Sequence, residues 1–232
     1  RPSWLKRDGL IMLLSLLLLS FFIYTGYELN RIEGLILVLL YVAYVSWLLL
    51  NRKVIREDEL IDKLLDIEAT GSNWTTAAYI VMITLGLSFA VFAAQHLVSI
   101  ANDLAKSMNI PHSTIGSTIS GFGTSLPELT IALMAARKSE GVAIGTLIGS
   151  NITDPLLSIG IAALISPLAI TSSEAPELLH FIIPTTIIGS TIAIFMMWTQ
   201  YEFKRWEGLV LILFYLTFLA VLAAEYLEYI SF

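Results

Sequence analysis

The chain has 232 residues, of which 56% are hydrophobic and 14% are charged, whereas soluble domains average about 45–50% apolar and about 25% charged residues. This composition excludes an ordinary soluble domain. The net charge of −6 and the lack of a long basic stretch argue against a nucleic-acid-binding surface. Because the sequence contains no cysteine, disulfides, thiol chemistry and cysteine-ligated zinc are excluded.

Seven apolar segments are long enough to cross a bilayer, since a transmembrane helix needs about 20 mostly apolar residues. They lie at about 8–27, 33–50, 74–101, 113–136, 142–168, 177–199 and 208–227. The sequence therefore predicts an all-α polytopic membrane protein with seven transmembrane helices.

The basic residues predict the orientation, because Lys and Arg are enriched in short cytoplasmic loops. If residues 51–72 are cytoplasmic, 11 of the 13 basic residues lie inside, and only Arg31 and Lys106 lie outside. The inner set is Arg1, Lys6, Arg7, Arg52, Lys53, Arg56, Lys63, Arg137, Lys138, Lys204 and Arg205. We expect an integral protein of the plasma membrane, with the N-terminus and 51–72 in the cytoplasm and the C-terminus outside.

A short sequence occurs twice in the chain. Residues 27–35 match residues 201–209 at six of nine positions, at a constant offset of 174 residues. Each copy joins two apolar spans, and the predicted topology puts the copies on opposite membrane faces. An inverted repeat with an odd number of spans per unit produces this arrangement.

The offset also predicts the domain organisation. Residues 1–50 correspond to the last two helices of a first inverted repeat, 51–72 to a cytoplasmic connector, and 73–232 to a complete five-helix second repeat. We expect the rest of the first repeat to be supplied by a missing N-terminal half or by a second copy of the chain.

The first candidate ion-binding motif is the stretch 121–128, which falls within a predicted span. A carboxylate at such depth costs at least about 2.5–3.5 kcal/mol, so Glu128 is a functional candidate. Helical spacing puts Ser125, Thr124 and Gly121 on the same face as Glu128. Pro127 cannot donate a backbone hydrogen bond, and we expect it to break the helix and free a carbonyl oxygen one turn earlier.

The second motif, at 149–155, has the same design in the next span. Asp154 follows Asn151 by three residues and Ser150 by four, and Pro155 is expected to free the Asn151 carbonyl. Hard cations such as Ca²⁺ bind about 6–8 carboxylate, carbonyl and amide oxygens. Two such helices facing one another would supply roughly half of a cation site.

The two motifs, 123–128 (Gly-Thr-Ser-Leu-Pro-Glu) and 149–154 (Gly-Ser-Asn-Ile-Thr-Asp), resemble the second alpha-repeat of the sodium/calcium exchangers, within the cation/calcium exchanger superfamily. The resemblance covers 73–232 and implies a ten-helix inverted-repeat antiporter. It implies that Glu128 binds both Ca²⁺ and Na⁺, that Thr124, Ser125, Ser150 and Asp154 line neighbouring sites, and that Gly121 contributes a backbone oxygen. At the position of Asp154 the family commonly has Asp or Asn between an aromatic or aliphatic residue and an aliphatic one. Thr153 and Pro155, which flank Asp154 here, depart from that pattern.

We therefore expect a transporter rather than an enzyme: a secondary active antiporter that exchanges Ca²⁺ against Na⁺ by alternating access and needs no cofactor beyond the transported ions. Coupling to H⁺ or K⁺ is the main alternative. An intramembrane aspartyl hydrolase that uses Glu128 and Asp154, and a structural membrane subunit, are less favoured. The expected partners are the ions and the lipid bilayer, and no nucleic acid.

Overall fold

The structure is a computed structural model that describes residues 3–51, 75–108, 115, 118, 121–136, 140–170, 175–200 and 204–230. Most of the predicted connector at 51–72 lies outside these residues. The elements in chain order are α1 (Ser3–Gly26), β1 (Glu28–Leu29), α2 (Arg31–Leu50), α3 (Thr76–Met108), α4 (Gly121–Ala136), α5 (Glu140–Thr153), the π-helical segment π1 (Asp154–Ser158), α6 (Ile159–Ile165), β2 (Leu168–Ala169), α7 (Ala175–Glu177), the π-helical segment π2 (Leu178–Ile182), α8 (Ile183–Gln200) and α9 (Arg205–Ile230).

Five helical segments of the described chain are long and apolar enough to cross a membrane. They are Leu5–Gly26, Arg31–Leu50, Gly141–Ile165, Leu178–Trp198 and Arg205–Ala224, and each matches a predicted span. The all-α membrane class is thereby confirmed. The other two predicted spans, at about 74–101 and 113–136, overlap α3 and the sixteen-residue α4. The number of seven transmembrane helices stays a prediction.

The turn between α1 and α2 follows from its local sequence. Tyr27 has a φ of 52°, and this left-handed conformation commonly ends a helix. Asn30 then caps α2: its side chain accepts hydrogen bonds from the backbone N–H groups of Ile32 and Glu33, while the Glu33 carboxylate accepts one from the Asn30 N–H. This capping box satisfies donors that the first turn of a helix leaves without partners.

The prolines of the two motifs do not break their helices, contrary to the sequence expectation. Helix α4 runs through Pro127. At Pro155 the chain stays helical but widens into π1, where the Ile159 N–H bonds to the Asp154 carbonyl five residues back. Because proline has no N–H to donate, a shift of the hydrogen-bond register accommodates it without opening a loop.

Two compact units make up the described chain, one from residues within 1–55 and 127–232 and the other from residues within 56–126. In the first unit α1 packs along α5 and α8, and α2 packs along π1 and α6. The buried core of this unit contains Leu5, Met12, Leu19, Leu37, Ile148, Ile152, Leu156 and Ile194, among others. The two N-terminal helices thus share one core with helices of the predicted second repeat.

Helices α1 and α8 lie antiparallel. Near the start of α1, a methyl group built on Gly9 would lie 3.4 Å from Ile194 and from Trp198, which belong to the last turns of α8. Near the end of α1, the Tyr24 hydroxyl donates a hydrogen bond to the Leu179 carbonyl in π2. Opposite ends of the two helices are therefore in contact.

The strands β1 and β2 form a two-residue antiparallel ladder. The sequence did not predict these strands. Leu29 of β1 pairs with Leu168 of β2, and the Ile170 N–H bonds to the Tyr27 carbonyl. The turn after α1 and the chain after α6 lie side by side, so their backbone groups pair with each other.

The second unit contains α3 and the first residues of α4, because the boundary between the units falls at Leu126 and Pro127. Within this unit the side chain of Leu97 in α3 lies near Gly123 in α4. A methyl group built on Gly123 would lie 3.8 Å from the side chain of Leu97.

Candidate functional site

Glu128 is the half-buried carboxylate of α4. Its Oε2 atom is buried and has no hydrogen-bond partner among the residues that the structure describes. A buried carboxylate oxygen without a partner is unfavourable, because it has lost its hydration and gained nothing in return. A bound cation would compensate for that loss.

Asp154 is the first residue of π1 and lies inside the span Gly141–Ile165. Its Oδ1 atom accepts a long hydrogen bond of 3.5 Å from the Ser158 hydroxyl. Asp154 and Glu128 belong to the same compact unit and are close enough for their carboxylates to interact electrostatically. The fold therefore brings together the two acidic residues that the sequence singles out.

Ser150 and Asn151 stand on the helical turn before Asp154. The Ser150 hydroxyl and the Asn151 amide nitrogen both donate to the Leu147 carbonyl, at 3.1 and 2.8 Å. An amide binds a cation through its oxygen, so Oδ1 is the atom of Asn151 that could bind one. Asn151 and Asp154 are both exposed.

Gly121, Thr124 and Ser125 belong to the second unit. Thr124 donates a hydrogen bond of 3.2 Å to the Gly121 carbonyl, and both Thr124 and Ser125 are exposed. These three residues precede Glu128 in the same helix, α4, and their part in a common site stays a prediction.

The chemistry of the described site is that of two carboxylates with neutral oxygens nearby. No group of three or more His, Asp, Glu or Cys side chains that could hold a metal ion occurs in the described ranges. Two carboxylates supplemented by hydroxyl, amide and carbonyl oxygens suit a hard cation. Softer metals prefer histidine or cysteine ligands, and the pair consists of carboxylates instead.

Sequence reasoning missed two residues in the surroundings of the second motif, Ser158, which contacts Asp154, and Tyr41, which contacts Thr153. Ser158, four positions after Asp154, could have been found from helical spacing alone. Tyr41 could not, because its hydroxyl reaches Thr153 across 112 residues of chain, at 3.3 Å. Tyr41 reaches Thr153 only because α2 packs along π1 and α6, in the span that carries the second motif.

The family model described as "Sodium/calcium exchanger protein" matches residues 78–224, which is more than half of the chain. "Sodium/calcium exchanger MaX1" of Methanosarcina acetivorans is 41% identical over 144 residues, covering 61% of this chain and 40% of the relative. "Uncharacterized membrane protein MJ0091" of Methanocaldococcus jannaschii is 26% identical over 219 residues, covering 94% of this chain and 66% of the relative.

A human relative, "Sodium/potassium/calcium exchanger 5", is 29% identical over 136 residues, covering 56% of this chain and 27% of the relative. The chain spans less than two thirds of the length of each of these three relatives. No solved structure matches the chain.

Proposed function

Since the chain belongs to the sodium/calcium exchanger protein family, which consists of transporters and not of enzymes, we propose that it acts in a secondary active antiporter that exchanges Ca²⁺ against Na⁺ by alternating access. Glu128 and Asp154 are the charged cation ligands that this chain contributes.

The observation that carries this proposal is the buried, unpartnered Oε2 of Glu128 within electrostatic range of the Asp154 carboxylate. Two carboxylates repel one another when both are ionised, and the repulsion is strong where water is scarce. Bound cations beside the two carboxylates would reduce the repulsion and supply the partner that Glu128 Oε2 lacks. If the two positions had only a structural role, apolar side chains there would avoid the free energy that desolvation of the carboxylates costs.

The neutral ligands in this proposal are those indicated by the sequence. Thr124, Ser125, Ser150 and Asn151 contribute side-chain oxygens, and Gly121 contributes its carbonyl. Together with the acidic pair they form one half of the site. Ca²⁺ binds about 6–8 oxygens, so the remaining ligands come from a further segment of a longer protein or from a second copy.

The transport mechanism in this proposal is the rocking of one inverted repeat against the other. Two observations support such a repeat: equivalent helices α1 and α8 lie antiparallel, and α2 and α9 begin at Arg31 and Arg205, which the offset of 174 relates. In this assignment 1–50 closes the first repeat and 73–232 forms the second.

The proposed location is the plasma membrane, with the N-terminus and 51–72 in the cytoplasm and the C-terminus outside. The argument is the distribution of basic residues.

The coupling ion has one serious alternative, because one relative is named a sodium/potassium/calcium exchanger and a site of carboxylates and hydroxyls also accommodates K⁺ or H⁺. Titrating Na⁺ at fixed pH, with and without K⁺, and following Ca²⁺ flux distinguishes the cases. Flux that depends on Na⁺ alone supports the proposal, and flux that persists without Na⁺ contradicts it.

The decisive test is Glu128→Gln, which removes the charge and keeps the size. Because ligand charge strongly affects Ca²⁺ affinity, we expect Ca²⁺ exchange to fall at least about tenfold in membrane vesicles that contain the protein at normal level. Glu33→Gln is the matched control, since glutamine also serves at this position of a capping box. Near-normal exchange by Glu128→Gln would contradict the assignment.

Asp154→Asn tests the second ligand. Asp154→Asn should impair exchange, and in this proposal, in which Asp154 helps to hold Na⁺ next to the site of Glu128, the main effect is on the dependence of exchange on the counter-ion. The measurement is the Na⁺ concentration that gives half-maximal Ca²⁺ flux, which should rise. An unchanged Na⁺ dependence would assign Asp154 a structural role instead.

A further inference from the structure

Helix α2 approaches the motif-bearing span Gly141–Ile165 closely at Gly34. A methyl group built on Gly34 would lie 2.7 Å from the Gly160 carbonyl oxygen and 2.9 Å from the Ala163 side chain. The backbones of α2 and α6 are therefore in direct contact, as small residues allow in membrane helices. This contact holds α2 against the span on the C-terminal side of π1.

A second contact holds α2 on the N-terminal side of π1. The Tyr41 hydroxyl lies 3.3 Å from Thr153 Oγ1, and Thr153 also donates a 2.9 Å hydrogen bond to the Gly149 carbonyl. A threonine hydroxyl has a single proton, so when Gly149 accepts that proton, Tyr41 is the donor to Thr153.

The two contacts are matched in length. Gly34 and Tyr41 are seven residues apart on α2, and Gly160 and Thr153 are seven residues apart on the span. Between them Leu37 is completely buried, and Pro155 and Leu156 of π1 are buried as well. Helix α2 thus bridges the π-helical segment from one side to the other.

The bridge matters because the direction of the Asp154 side chain depends on π1. A π turn contains one residue more than an α turn. If the hydrogen bonds of π1 shifted back to the α pattern, the residues before π1 would rotate by about 100° relative to the residues after it. Thr153 is the residue immediately before Asp154. Fixing Thr153 therefore fixes the start of the π turn.

We infer that Tyr41 is a positioning residue for Asp154: its hydroxyl, acting through Thr153, holds π1 in the register that presents the Asp154 carboxylate to the counter-ion. The inference rests on the proposed function, in which Asp154 helps to bind that ion. Tyr41 itself does not touch the ion.

The chain supplies a matched control in Tyr215, which the offset of 174 relates to Tyr41. Tyr215 is 39% exposed, and its ring stacks against Phe218 in the same helix, with ring centroids 6.2 Å apart. Tyr215→Phe removes the same hydroxyl from the equivalent helical position, on a helix that includes no residue of the Asp154 motif.

The first experiment measures the Na⁺ dependence of Ca²⁺ exchange in membrane vesicles. For Tyr41→Phe we expect the half-maximal Na⁺ concentration to rise about three- to tenfold, the effect of one lost hydrogen bond, with a maximal rate within about twofold of wild type. Tyr215→Phe and Thr153→Ser, which keeps the hydroxyl, should behave like wild type, whereas Thr153→Val should behave like Tyr41→Phe. A purely structural role would lower the amount of protein and leave the Na⁺ dependence unchanged.

Asp154→Asn separates failure of this inference from failure of the proposed function. If Asp154→Asn shifts the Na⁺ dependence and Tyr41→Phe does not, the inference is overturned and the proposed function stands. If both shift it, the double variant should be no worse than Asp154→Asn alone, because Tyr41 acts through Asp154. Additive shifts would overturn the inference.

If Asp154→Asn has no effect, the role proposed for Asp154 fails, and amide hydrogen exchange still tests the positioning. Tyr41→Phe should speed exchange in peptides that cover 154–159 and leave those that cover 205–215 unchanged, because loss of a local contact raises local opening. Unchanged exchange at 154–159 would overturn the inference.

Discussion

The two related helix–turn–helix segments, α1 to α2 and α8 to α9, share their local structure. Helices α2 and α9 begin at Arg31 and Arg205, and the offset of 174 relates these residues. The carboxylate of Glu33 accepts the Asn30 N–H at 2.9 Å, and that of Glu207 accepts the Lys204 N–H at 2.8 Å. Similar sequence thus produces the same helix start, with the same hydrogen bond from a backbone N–H back to a glutamate carboxylate, in both places.

The surroundings of the two segments differ sharply. A methyl group on Gly34 would clash with the α6 backbone, whereas one on Gly208 would meet nothing within 4 Å in the part of the chain that the structure describes. The comparison teaches that hydrogen bonds between residues close in sequence determine where the second helix begins. The neighbouring helices determine whether an equivalent glycine has room for a larger side chain.

The largest contrast is expected in accessibility from the two sides of the membrane. Ile32 and Trp206 are equivalent positions, 71% and 56% exposed, and the chain has no native cysteine to interfere. In intact cells a membrane-impermeant thiol reagent should modify Ile32→Cys and not Trp206→Cys, which should react only after permeabilisation. Labelling of both from one side would refute the inverted relation, and a reversed pattern would refute only the orientation.

The next contrast concerns stability. Gly34→Ala should lower the free energy of unfolding by about 1–3 kcal/mol, because the added methyl group forces α2 away from α6. Gly208→Ala should raise it by up to about 1 kcal/mol, because alanine favours a helix and the site is open. Denaturant titration of the purified protein in detergent measures both changes. Equal effects would mean that the two glycines do not differ in packing.

The smallest contrast concerns the residue at the helix start. Asn30 accepts two backbone hydrogen bonds with its side chain, which the equivalent Lys204 cannot do. Lys204→Asn should therefore stabilise the protein by about 0.5–1 kcal/mol, and Asn30→Lys should destabilise it by a similar amount. The same denaturant titration provides the readout, and a neutral Lys204→Asn would show that the second turn cannot use such a cap.

Local features of the chain were readable from sequence because they depend on residues only a few positions apart. Apolar runs of sufficient length identified the spans that contain α1, α2, α8 and α9. The nine-residue repeat indicated that the chain before α2 and the chain before α9 are equivalent. An acidic residue within an apolar run singled out Asp154, and the neighbouring hydroxyl and amide groups followed from helical spacing.

Other features depend on which helices become neighbours, and the tertiary structure decided them. Sequence could not show that Pro155 widens its helix instead of breaking it, since packing determines which hydrogen-bond register survives. The contact of Tyr41 with Thr153 joins residues 112 positions apart, and no periodicity of a single helix carries information across such a distance. Only the antiparallel packing of α2 on the motif-bearing span, made possible by Gly34 and Gly160, brings these two residues together.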